Sequence, residues 1–188
     1  MRSFWYLLLF LWMPAVVSAQ KTRSFIPDTT VSGFVLCDSS SAIALFGRIR
    51  ASELIELGPP EGLPHVHFKN TEGSEVLSLY LHPGTYENQY PEVRISRTVS
   101  CPIRGTLPIA HFTTSRRIRL GMTEQEVKAI FGKEEKHGTA ASGTTLHYSL
   151  TEQEAPSFLE RSGYPSYYAH FVFASGSLVE YRFGFDYP

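Results

Sequence analysis

The chain has 188 residues, with 17 Lys plus Arg against 18 Asp plus Glu, 43% hydrophobic and 13% aromatic residues, and two Cys. A formal charge of −1 excludes the dense basic surface with which a dedicated nucleic-acid binder displaces counterions from phosphates. The aromatic content, with only 19% charged residues, excludes a disordered chain and predicts a buried core.

At the N-terminus Arg2 precedes the apolar run Phe4-Trp5-Tyr6-Leu7-Leu8-Leu9-Phe10-Leu11-Trp12, and Val17-Ser18-Ala19 follows. A charged start, an apolar run and a small-residue end predict a secretory signal over residues 1 to 19, cleaved after Ala19, and a secreted or periplasmic protein. The run is too short for a membrane span. No Cys follows the cleavage point, so no lipid anchor is expected. An oxidising compartment then favours a disulfide between Cys37 and Cys101, closing a loop of about 64 residues. Two free buried thiols are the first alternative and thiol chemistry the second, since neither Cys lies in a C-x-x-C.

Asp38-Ser39-Ser40-Ser41-Ala42-Ile43-Ala44-Leu45-Phe46-Gly47 offers cap residues, an apolar stretch and a Phe-Gly stop, the outline of a short helix. Alternating segments follow at His65–Lys69, Val76–Gly84 and Val93–Ser96. Pro102, Gly105 and Pro108 mark a boundary between residues 97 and 115. Beyond it, Thr123 and Glu126 form a capping box. Val127, Ile130 and Phe131 share one helical face, and Gly132 supplies the stop. Three more segments alternate with period two. Leu146, Tyr148 and Leu150 lie on one face, then Ala169, Phe171 and Phe173, then Val179, Tyr181, Phe183 and Phe185. Residues 154 to 165 are expected to be a helical or loop insertion. Because Phe46-Gly47 matches Phe131-Gly132 and the strands follow in the same order, offset by about 80 to 92 residues, the chain reads as a duplication. The expected fold is α+β, with two similar modules over residues 20–105 and 106–188. Each is a short helix packed on a three- or four-stranded antiparallel sheet.

The run Ile118-Arg119-Leu120-Gly121-Met122-Thr123 through Gly132, followed by paired strands and a Phe-rich final hairpin, resembles the helix-plus-sheet modules of the small outer-membrane assembly lipoproteins of the SmpA/OmlA (BamE-like) type. Two such modules in tandem look like the beta-lactamase inhibitory proteins, whose repeats present a concave sheet to a partner. The resemblance implies a non-enzymatic envelope or secreted interaction module.

Removing the core-facing positions from each strand leaves His65, His67, Lys69, Ser78, Tyr80, His82, Arg94 and Ser96 in the front half. The back half leaves Thr145, His147, Ser149, Tyr168, His170, Val172, Glu180 and Arg182. Five of the seven His fall on these outer faces. His, Tyr and Arg combine contact area with polar tips, as recognition surfaces require, and an ordinary solvated sheet face is the plainer reading. The candidate binding residues are Tyr80, Arg94, His147, Tyr168, His170 and Arg182, with a protein as the expected partner and no cofactor.

A rival reading is a metal-binding protein or metal-dependent enzyme. His65-x-His67 puts two imidazoles on one side of a strand, with His82 or Glu72 as third ligand. The spacing His65-x-His67-x-x-x-x-Glu72 also resembles part of the first metal motif of cupins, which implies a metal-dependent barrel. No G-x-S-x-G, H-E-x-x-H or Gly-rich phosphate loop occurs in the sequence, so no catalytic residue is assigned.

Overall fold

A computed structural model describes residues 25–55, 62–132, 136–140 and 143–186. The expected signal at residues 1 to 19 lies outside the described residues. Within them no helix is long and apolar enough to cross a membrane.

The protein is α+β. A small hairpin pairs β1 (Thr30–Val31) with β2 (Phe34–Val35). The helices are α1 (Ser39–Phe46), α2 (Glu124–Phe131) and α3 (Pro156–Ser162). The main sheet draws β3 (His65–Lys69), β4 (Val76–Tyr80), β5 (Glu92–Ser96) and the short β6 (Gly105–Thr106) from the front of the chain. From the back come β7 (Lys136–Ala140), β8 (Gly143–Thr151), β9 (Ser166–Ala174) and β10 (Ser177–Phe185). These eight strands form one sheet in the order β6-β3-β4-β5-β10-β9-β8-β7. Every neighbouring pair is antiparallel except β3 and β6.

The two halves therefore do not keep separate sheets. The strands β5 and β10 pair with each other, so each closes the edge that the other would leave open. One apolar cluster runs under both, from Val66, Phe68 and Leu79 to Phe171, Tyr181 and Phe183. Alternation explains which residues enter it, because successive side chains of a strand point to opposite faces. At β10 the expectation needs one correction. A register shift between Leu178 and Glu180 inserts an extra residue, so Leu178 is fully buried while Val179 is only half-buried, as a β-bulge requires.

Helices α1 and α2 pack on the apolar face and are fixed by their ends. Asp38 accepts the N–H groups of Ser40 and Ser41 at 3.0 and 3.1 Å. At α2, Glu126 N–H donates to Thr123 Oγ1 at 3.3 Å and Thr123 N–H donates to Glu126 Oε2 at 2.7 Å, the reciprocal box expected from the sequence. Each helix drives a terminal Phe into the sheet. Phe46 stacks on Phe68 of β3 with centroids 4.9 Å apart, and Phe131 meets Tyr148 of β8 at 5.1 Å. Fully burying a ring such as Phe131 stabilises the fold by about 1.5–3 kcal/mol, and the partly buried Phe46 contributes less. The segment at 154–165 contains α3, whose Leu159 is buried, and β7 is an edge strand that the sequence pattern did not announce.

The expected disulfide is absent: Cys37 and Cys101 are both free thiols. Cys37 packs against the apolar core beside Tyr164, and its burial pushes its pKa up to about 11. Cys101 lies on the opposite, polar side of the sheet with His65 and His67. A disulfide needs Cα atoms within about 7 Å, and a sheet with its packed layers is thicker than that.

Candidate functional site

The face of the sheet turned away from the helices is polar, and strand register arranges it in rows. One row crosses the sheet as Lys136, His147, His170, Arg182, Arg94, Ser78 and His67. Beside it runs Ser149, Tyr168, Gly184, Glu92, Tyr80 and His65. Residues from both ends of the chain thus become neighbours through pairing alone.

At the seam, Arg94 of β5 stands directly opposite Arg182 of β10. Two facing cations would repel, and each is neutralised by the carboxylate two residues before the other. Arg94 Nη2 donates to Glu180 Oε2 at 2.5 Å, and Arg182 Nε donates to Glu92 Oε1 at 2.7 Å. The repeated tripeptides Glu92-Val93-Arg94 and Glu180-Tyr181-Arg182 generate this crossed pairing because antiparallel strands reverse direction. Gly184 makes room for it. A Cβ there would fall 2.5 Å from the Pro91 carbonyl oxygen and 2.7 Å from Glu92 Cα.

Glu92 is the more deeply placed of the two acids. Burial works to raise its pKa, yet the hydrogen bond from His82, the Arg182 guanidinium and the Tyr168 hydroxyl outweigh burial and hold it below the usual carboxylate range. Tyr168 is pushed well up by burial and by Glu92, so it remains a neutral donor. The Arg182 guanidinium also lies over the Tyr80 ring, 5.0 Å from its centroid, a cation–π contact.

The front of this face is roofed. Since β5 ends at Ser96 and β6 runs beside β3 on the far side of β4, residues 97–104 must cross the sheet. They do so on the polar side. Ser96 Oγ donates to the Thr98 carbonyl at 2.8 Å, and Arg104 N–H donates to the His67 carbonyl at 2.9 Å, which ties down both ends. Beneath lies a pocket of about 380 Å³ whose lining includes His65, His67, Tyr80, Arg94 and Cys101. His65, His67 and Tyr80 are buried at 2%, 1% and 8% exposure. Over β8, β9 and β10 no described segment makes such a roof, and His147, Tyr168, His170 and Arg182 are half-buried. They line a shallow depression of about 410 Å³ with His82 and Glu92.

The roofed histidines are each anchored through Nδ1. His65 Nδ1 lies 2.8 Å from the Leu63 carbonyl, which can only accept, so the proton sits on Nδ1 and Nε2 carries the lone pair. His67 Nδ1 lies 2.8 Å from Ser78 Oγ, while its buried Nε2 has no hydrogen-bond partner among the described residues. A buried polar atom left in that state costs about 1–3 kcal/mol. Burial first, then His65 and Arg94, lower the His67 pKa to about 4, so the ring is neutral at physiological pH. His170 on the open side is also held below the ordinary histidine range, by burial and then by His147.

The structure regroups the residues singled out from sequence. His147, His170 and Arg182 stand adjacent in one row, with Tyr168 beside them. Tyr80 is beneath the roof and Arg94 is in the seam. The proposed metal trio His65, His67 and His82 is not assembled. His82 Nε2 faces Glu92 Oε2 at 3.6 Å and its ring meets Tyr164 edge-on, because two residues past Tyr80 the chain has moved beyond His65. Glu72 is exposed and stands outside the cluster. The residue that joins the two imidazoles is Cys101, whose thiol lies with them in a group of ligand atoms all within 4.8 Å of one another. No local spacing reveals this, since Cys101 arrives on the crossover. Glu92 was likewise missed, although its place in the tripeptide shared with Glu180 was a usable signal.

No protein-family model matches the chain, and no curated protein and no solved structure matches it.

Proposed function

We propose that the protein is a non-enzymatic recognition module, secreted or periplasmic, that binds another protein through the open half of its polar sheet face. The observation carrying this reading is the patch of His147, Tyr168, His170 and Arg182, left uncovered among the described residues, in which Glu92 holds Tyr168 and Arg182 in place before any partner arrives. Preordered aromatic and Arg side chains lose little entropy on binding, which is why such groups dominate recognition surfaces. The depression is wide and shallow, a shape suited to a protein surface more than to an engulfed small molecule.

The modular part of the proposal is a duplication over residues 20–105 and 106–188, resembling SmpA/OmlA-type (BamE-like) modules in tandem, as in the beta-lactamase inhibitory proteins. Two features support it. The crossed Glu-Arg pairs relate β5 to β10, and Phe46 on Phe68 has its counterpart in Phe131 against Tyr148.

The test places a photo-crosslinking side chain at position 170 and, separately, at position 67. With the envelope or secreted fraction of the native source, position 170 should give one discrete adduct that Tyr168→Ala and Arg182→Ala weaken at least tenfold, while position 67 gives none. Equal labelling from both positions, or an adduct indifferent to Tyr168, overturns the reading. The rival metal reading keeps one observation in its favour, the grouping of His65 and His67 with Cys101.

A further inference from the structure

We infer that His65, His67 and Cys101 form a binding site for a zinc-like divalent cation, a site independent of the open recognition face. The two imidazoles are fixed by β3, which is paired on both sides, to β4 and to β6. As residues i and i+2 they share one face, with ring centroids 4.8 Å apart. The third donor comes from the crossover, so the site exists only when residues 97–104 lie across the sheet.

The donor chemistry selects the metal. Two neutral imidazoles and a thiolate suit Zn²⁺, which prefers nitrogen and sulfur donors in a tetrahedron, whereas Mg²⁺ and Ca²⁺ require oxygen. Bonds of roughly 2.0–2.1 Å to nitrogen and 2.3 Å to sulfur put tetrahedral donors about 3.3–3.6 Å apart. The three donor atoms lie within 4.8 Å of one another, so a contraction of roughly 1–1.5 Å between donors closes the site.

The surroundings point the same way. The Leu63 carbonyl at His65 Nδ1 leaves Nε2 as the donor nitrogen, the outer-shell arrangement common to metal-bound histidines. Ser78 Oγ can accept the Nδ1 proton of His67 in the same fashion. The His67 Nε2 atom is buried and lacks a partner, and a metal would satisfy it. Three protein donors leave a fourth position, and the 380 Å³ pocket they share with Arg94 has room for a water or small anion there. On binding, the Cys101 thiol gives up its proton to solvent and the thiolate bonds to the cation.

The full chain, reduced and stripped of metal, is titrated with Zn²⁺ and with Co²⁺. One equivalent should bind, Co²⁺ should give a thiolate-to-metal charge-transfer band, and Zn²⁺ should raise the melting temperature. Cys101→Ser should abolish the band, His67→Gln should weaken binding strongly, and Ser78→Ala should weaken it by about 10–100-fold. Cys37→Ser should leave metal stoichiometry and the charge-transfer band unchanged. Should a variant fail to fold, alkylation of the wild type decides: Zn²⁺ should protect the thiol at position 101 and leave that at position 37 as reactive as before. No uptake of either metal, a band that survives Cys101→Ser, or equal protection of both thiols overturns the site.

Discussion

The polar face of the β3–β5 half and that of the β8–β10 half are made from the same kind of strand, yet among the described residues one is roofed and the other is not. In the front half, residues 97–104 turn the face into the ceiling and floor of a pocket. In the back half the same alternation leaves His147, Tyr168 and His170 half-exposed. The difference lies in one connection. Strand β5 is followed by a segment that must reach the far edge of β3, and among the described residues nothing makes the same crossing over β8, β9 and β10. A sheet face is thus a donor set in one place and a recognition surface in the other, according to what crosses it.

The sharpest way to probe this asymmetry is the crossed ion pairs. The Glu92 side chain is 4% exposed and Glu180 is 25% exposed. Glu92→Ala removes the acceptor that holds Arg182, itself 37% exposed, and Tyr168, so it should destabilise the protein by up to about 3 kcal/mol. Glu180→Ala, more open to solvent, should cost about 1 kcal/mol. Urea denaturation of both variants checks this, and equal losses would break the asymmetry. Because the folded pKa of Glu92 is depressed, its contribution is present above the unfolded carboxylate value of about 4.3 and is lost as pH falls through the folded value.

His67 gives the next effect. Its pKa falls to about 4 in the folded protein from roughly 6.5 unfolded, so the unfolded chain takes up the proton first as pH drops. In the metal-free protein, stability should fall by up to about 3 kcal/mol between pH 6.5 and pH 4 on this account, and the loss should be absent above pH 6.5. Denaturation midpoints across that range should show the slope in wild type and a flatter profile in His67→Gln.

Gly184→Ala is expected to cost about 1–3 kcal/mol by overpacking the seam. Ser96→Ala, across the seam where a side chain is already accommodated, should cost under about 1.5 kcal/mol. Thermal melts of the two variants distinguish them. The smallest effects concern the helix caps, where the halves should agree. Asp38→Ala and Thr123→Ala should each lose about 1 kcal/mol, and a difference of more than about 1 kcal/mol between them would show that α1 and α2 do not support their halves alike.

Much of the fold was legible because its signals are local. Thr123 with Glu126 and Asp38 before Ser39 mark helix starts by chemistry that acts within one turn. Alternation at residues 146–150 and 169–173 assigns faces because the period of a strand is fixed. Where a bulge breaks that period, at Val179, the assignment failed by one residue. The site was legible as a set of outward residues but not as a grouping. His82 looked equivalent to His65 and His67 as an outward histidine, and only strand register sends it to Glu92 instead.

The sequence by itself determined which side chains of the regular strands face the core, where α1 and α2 begin and end, and that His, Tyr and Arg would gather on the face opposite the core, since each depends on periods and caps a few residues long. Tertiary structure decided that β5 joins β10 in one sheet, that Cys37 and Cys101 lie apart, and that Cys101 meets His65 and His67 under a roof. Those outcomes bring together groups distant in the chain, and strand pairing and the route of a crossover fix such distances where local spacing does not.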